Sequence, residues 1–188
     1  MIIGILAILS VSAAAGMRIA LPLLIVGLLR SDLWSEVPLL SVIPPQVLIG
    51  ILTSWSLFEL FGSKKLLGQR ILQIVQLIFS PFVGGLLAVT VVKIANLGII
   101  PLWLIGLIGG LLALVLKLVQ VGWFFRLRGL PIWVICVEDI ICILLVLFAF
   151  DAPTNGGLIA LMLLWIAIRS STAWRKWYKK GSKVSEQG

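Results

Sequence analysis

Residues 100–122 read IPLWLIGLIGGLLALVLKLVQVG, an apolar run in which Lys117 is the single charge. About 20 such residues, rising 1.5 Å each as a helix, cross the ~30 Å hydrocarbon layer of a bilayer. Outward from it the same texture recurs at residues 2–29, 45–61, 69–98, 130–150 and 158–172. The chain has 188 residues, of which 61% are hydrophobic and 12% charged, whereas soluble domains run near 45–50% apolar and ~25% charged. About 115 apolar residues are more than a core of this size hides from water, and at ~20 per span they supply roughly six helices. A soluble enzyme, a disordered tail and a disulfide scaffold are excluded. The expected fold is all-α, a polytopic transmembrane helical bundle of about six spans with broken or re-entrant helices, within a range of five to seven because residues 2–29 or 66–98 change the count if they form re-entrant hairpins. Residues 1–172 form one transmembrane domain, with halves at 1–98 and 99–172, and residues 173–188 form a basic cytoplasmic tail.

The remaining segments divide as follows. Residues 2–29 enclose Arg18 and open like a signal peptide, with Ala13-Ala14-Ala15 resembling a cleavage site; without a basic start they read as one retained helix. Residues 30–43, with Arg30, Asp32, Trp34, Glu36 and Pro38, read as a surface loop. Pro44-Pro45 then opens a helix to about Phe61, because proline is tolerated in a first helical turn. After Gly62-Ser63-Lys64-Lys65, residues Gln69, Gln73, Gln76 and Ser80 fall on one helical stripe. This stripe is either an interfacial or packing face, or the lining of a polar cavity. Residues 69–98 would measure ~45 Å as a straight helix, so a break near Ser80-Pro81 or a strong tilt is expected. Arg126 and Arg128 mark a loop, 151–157 a turn and 158–172 a short last span. Residues 81–88 and 153–160 share the pattern P-x-x-G-G-L-(L/I)-A. That echo reads either as two inverted halves, common in transporters, or as independent use of Pro and Gly to open helices.

Fifteen Lys and Arg against seven Asp and Glu leave a net charge of +8. With both termini in the cytoplasm, eleven cations lie inside: Lys64, Lys65, Arg70, Arg126, Arg128, Arg169, Arg175, Lys176, Lys179, Lys180 and Lys183. Only Arg30 and Lys93 lie outside, a strong orientation signal. Trp174, Arg175, Lys176, Trp177, Tyr178, Lys179 and Lys180 interleave cations with amphipathic aromatics. That pattern suits the headgroup layer and anionic lipids rather than nucleic acid.

The costly residues are Arg18, Glu59, Lys117, Glu138 and Asp139, each about 2.5–3.5 kcal/mol unfavourable near a helix centre unless it finds a partner. Depth along the spans pairs Arg18 with Glu138 or Asp139 near the midplane, and Glu59 with Lys117 nearer the cytoplasm. Structural ion pairing and a pathway for ions, protons or an anionic substrate both fit. The third acid, left over by two bases, could carry a proton. The chain has no His, which removes His-based metal ligation and His general bases. Cys136 and Cys142 sit too far apart on one helix for a disulfide and read as packing thiols. Glu138-Asp139 resembles the paired acids that hold Mg²⁺ in lipid and prenyl transferases, yet the further acids of a metal cage are missing. No metal, no cofactor and no catalytic residue is expected.

Ser12-Ala13-Ala14-Ala15-Gly16-Met17-Arg18 leading to Leu21-Pro22, Glu59 ending an apolar helix, Pro81-x-x-Gly84 and Glu138-Asp139 occur in that order. Together they resemble the uncharacterised bacterial membrane family catalogued as domain of unknown function 4126, over about residues 10–170. Family members often carry an acid-Lys-x-Pro sequence after the Glu, where this chain has Gly62-Ser63-Lys64-Lys65. The resemblance implies a polytopic membrane protein and carries no activity with it.

Two readings of function follow. The first is a small transporter or channel for an anionic or proton-coupled substrate, built on the five buried charges. Helix breaks at Gly16, Pro22, Ser80, Pro81, Gly84 and Gly85 would line its site, beside the Gln69, Gln73 and Gln76 stripe. The alternative is a non-catalytic assembly factor or accessory subunit, docking through Gly-rich faces onto a membrane-protein partner or a second copy of itself. The expected location is a bacterial cytoplasmic or thylakoid membrane, crossed several times, with both termini cytoplasmic.

Overall fold

The computed structural model describes residues 2–29, 43–62, 66–94, 101–127 and 131–185. Among the described residues every regular element is an α-helix: α1 (Ile2–Met17), α2 (Ala20–Leu29), α3 (Pro45–Gly62), α4 (Leu66–Ile94), α5 (Leu102–Leu127), α6 (Ile132–Asp151) and α7 (Pro153–Ser185). Four of them, α4 to α7, carry apolar stretches long enough to cross a membrane, and α1 and α2 are shorter apolar helices. The chain is an all-helical, multi-pass membrane bundle.

Helix α4 shows why water is not its solvent. Ile74, Ile78 and Phe82 are 56%, 57% and 71% exposed on its outer face, while Gln73, Gln76 and Ser80 are buried inside. Apolar side chains turned outward and amides turned inward invert the soluble pattern, as expected where the surroundings are hydrocarbon. The Gln stripe is therefore a buried face of the bundle and not an interfacial one.

Helix α1 is the centre. It packs against α4, α5, α6 and α7, and Ser10, Val11, Ser12, Ala13 and Ala14 are wholly buried. A run of small side chains lets four helices approach one axis, where dispersion contacts and hydrogen bonds replace the missing hydrophobic drive. The tightest seam joins α4 to α5. A Cβ at Gly85 would lie 2.7 Å from the Gly106 carbonyl oxygen, and one at Gly110 would lie 2.6 Å from that of Pro81.

Three local expectations are corrected. Residues 2–29 are not one helix: α1 ends at Met17 and α2 begins at Ala20. Pro22 explains the break, because it has no N–H for the carbonyl of Arg18, four residues earlier, and its ring would crowd that carbonyl. Conversely, of the break or strong tilt expected for residues 69–98, the break is absent: α4 runs unbroken through Ser80-Pro81. Backbone on both sides of Pro81 is held by neighbours, Ser80 against α1 and Gly84-Gly85 against α5, and a bundle interior tolerates proline in this way. The turn expected over 151–157 shrinks to Ala152, since Pro153 already opens α7, whose helix continues into the basic tail to Ser185.

The two P-x-x-G-G copies occupy different settings, Pro81 inside α4 and Pro153 at the start of α7. What they share is packing: Gly84-Gly85 lie on α5 and Gly156-Gly157 lie on α1. The loop expected at residues 30–43 lies, except for Ile43, outside the described residues, together with Lys64, Lys65 and Arg128, as do the side chains of Trp174, Arg175, Lys176, Trp177, Tyr178, Lys179 and Lys180.

Candidate functional site

The break between α1 and α2 leaves the last carbonyls of α1 without intrahelical donors, in the middle of the bundle. Unsatisfied groups at such a position cost several kcal/mol each. The surrounding helices supply the donors. The Ser80 hydroxyl of α4 donates to Ala15 O at 3.3 Å and the Lys117 ammonium of α5 to Met17 O at 3.4 Å, while the Cys142 thiol of α6, at 3.5 Å, is a second donor to Ala14 O, which already accepts from the Arg18 N–H. The cation of Lys117 also complements the negative end of the α1 dipole.

Lys117 is almost wholly buried. Its ammonium donates to the amide oxygens of Gln76 and of Gln120, the latter at 2.6 Å, as well as to Met17 O. Three donors meet three acceptors, none of them a carboxylate. The expected Lys117–Glu59 pair is thus not a direct one. Gln76 stands between them: its oxygen accepts from Lys117, and its Nε2 donates to Glu59 Oε1 at 2.9 Å. Glu59 Oε1 also accepts from the Trp55 indole at 3.1 Å, while Glu59 Oε2 and Gln73 Oε1 are buried without a hydrogen-bond partner.

Arg18 lies at the break itself, with its backbone N–H closing the last turn of α1 on Ala14 O at 3.0 Å. Its Nε donates to Asp139 Oδ1 at 2.6 Å and lies 3.8 Å from Glu138 Oε1. Consecutive acids on α6 point about 100° apart around the helix, so one cation meets both only because it sits close to the helix surface.

The structure thus gathers Arg18, Glu138 and Asp139 in one cluster and Glu59, Gln76 and Lys117 in a second, both against the α1–α2 break. Gly16 closes α1 against α5, where an added Cβ would lie 2.8 Å from Ala113 O, and Pro22 is buried in the first turn of α2. Gly84 and Gly85 do not line the break; they are consumed in the α4–α5 seam. Gln69 and Gln73 continue the buried stripe of α4 beyond Gln76. A half-open groove of about 160 Å³ runs between α1, α5, α6 and α7, apolar except for Gln120 and Glu138. Gln120 and Trp55 were not picked out from sequence. Their signal was present, since Gln120 follows Lys117 by three residues and Trp55 precedes Glu59 by four, the spacings at which helical neighbours meet.

This architecture defines a class: a polytopic helical membrane protein whose charged centre sits at an interrupted helix. More particularly, the chain belongs to the family described as Domain of unknown function (DUF4126), whose model matches residues 5–173. No curated protein and no solved structure matches the chain.

Proposed function

We propose that the protein is a small proton-coupled membrane transporter for an anionic substrate, with the α1–α2 break as its working centre. The observation that carries this reading is the enclosure of Arg18, Asp139 and Glu138 at a helix break, with Glu138 also on a groove. Interrupted helices free backbone dipoles at membrane depth, and this is tolerated where they line a site. Arg18 is held by Asp139 in this state. Protonation of the acids releases the guanidinium, whose forked donors suit a carboxylate or phosphate. The accessory-subunit reading drew on Gly-rich faces, and the glycines of α4 and α5 at 84, 85, 109 and 110 are used within the chain itself.

Proteoliposomes holding the full chain provide the test. An inward proton gradient is expected to drive uptake of phosphate or a small carboxylate. Arg18→Lys, which keeps the charge and loses the fork, and Glu138→Gln are expected to fold and to lower uptake at least ~10-fold, as when a 1.4 kcal/mol interaction is lost. Glu138→Gln also flattens the pH dependence. Wild-type vesicles that move neither anions nor protons at any pH reject the reading.

The same proposal includes orientation, with both termini cytoplasmic. A cysteine at Ser63 and one at Asn155, which is exposed near the start of α7, are expected to label from opposite sides of intact membranes. Labelling of both from one side overturns the orientation.

A further inference from the structure

Of the buried charges, Glu59 is the one whose account does not close. Three acids, Glu59, Glu138 and Asp139, gather with two cations, Arg18 and Lys117, around the α1–α2 break. Asp139 and Glu138 share Arg18, and Lys117 spends its donors on a backbone carbonyl and two amides. With every group ionised the centre carries one net negative charge, held in a medium where an uncompensated buried charge is costly.

Hydrogen bonds show the same deficit independently. Glu59 Oε1 accepts from Trp55 and Gln76, but Oε2, on a residue 2% exposed, has no donor. Gln73 Oε1 is likewise buried and without a donor, one turn before Gln76 on the same buried stripe of α4. Two acceptors without a donor meet the same requirement as one surplus negative charge. A single proton on Oε2 answers both, because a protonated carboxyl gains an O–H donor while its other oxygen still accepts. A sodium ion would require about six oxygen ligands by analogy with other hard cations, and two orphan oxygens do not form such a cage.

We propose that Glu59 is a proton-binding site at membrane depth, with the acid O–H donating to the side-chain oxygen of Gln73. This deepens the transport reading and rests on it only for the proton's use: Glu59 becomes the place where the coupled proton waits, and Gln76 links it to Lys117 and so to the end of α1. The groups that face it are Trp55 on its own helix, Gln76 on α4, Lys117 on α5 and Arg18 at the break, and Gln73 is the partner the proposal adds. Among the described residues of α2 there is no titratable side chain. When the proton leaves, the new carboxylate attracts Lys117 and Arg18, loosening their hold on Met17 O and on Asp139.

Infrared difference spectroscopy on the full chain in lipid at pH 7 tests this without reference to transport. The spectrum of wild type minus Glu59→Gln is expected to contain the C=O stretch of an undissociated carboxylic acid, sensitive to exchange into D2O. Gln73→Leu, which keeps Glu59, is expected to move that band to higher frequency as its hydrogen bond is lost. Glu59→Gln is expected to fold like wild type, because the amide is the neutral acid's isostere and its Nε2 can donate to Gln73. Carboxylate stretches in place of the acid band, or an acid band indifferent to Gln73→Leu, overturns the proposal. An acid band in a protein whose vesicles move nothing leaves the proton site standing and removes only the transport reading.

Discussion

Arg18→Ala is expected to destabilise the folded bundle by about 3–5 kcal/mol, the loss seen when one partner of a buried ion pair is removed. The reason is specific to this centre. The side chains of Arg18 and Glu138 are 6% and 8% exposed and that of Asp139 is 18% exposed, so truncation leaves two neighbouring, largely buried carboxylates without the cation that meets them both. Thermal unfolding in a fixed detergent, followed by size-exclusion recovery, measures the loss. Because the cost lies in the abandoned acids, Arg18→Ala in a background of Glu138→Gln and Asp139→Asn is expected to cost less than half as much. Equal costs in both backgrounds would mean that Arg18 acts through packing alone.

Gly84→Val is the second change with a large expected effect. A Cβ there would meet the Ala113 Cβ at 2.5 Å and the Gly109 carbonyl oxygen at 2.9 Å. Those atoms belong to or sit on the backbone of α5, so no side-chain rotation relieves the clash. A loss of about 3 kcal/mol, at the upper end for overpacking, is expected, together with loosening of α1, which packs against both helices. Gly122→Ala is the matching control, since nothing lies within 4 Å of its added Cβ. It is expected to gain up to ~1 kcal/mol from helix propensity. Similar melting of the two variants would show that the α4–α5 seam is not closely packed in the folded protein.

The asymmetry between the two glycines marks what is legible in a chain of this kind. Gly84 and Gly122 look alike in sequence, each a glycine in an apolar run. One faces a helix and the other open space, and only the packed structure says which. The two prolines make the same point. Pro22 and Pro81 each lack a backbone N–H, yet the helix is interrupted just before the first and continues through the second. Local chemistry names where a break is cheap, and the neighbours that hold or abandon the backbone decide whether it happens.

The amino-acid sequence by itself determined the membrane bundle, the approximate spans in α4 to α7, the family and the pairing of Arg18 with the acids of α6. These rest on composition, run length and depth along a span, which are properties of the chain read in one dimension. The tertiary structure alone decided that Gln76 bridges Lys117 to Glu59, that the Gln stripe faces inward, and that the interrupted end of α1 is what Lys117, Ser80 and Cys142 serve. It also decided which acid is left over. The physical reason is that a buried charge can be satisfied by an amide or a carbonyl as well as by an opposite charge. Counting charges therefore finds how many partners are needed, while only the meeting of helix faces determines which groups supply them.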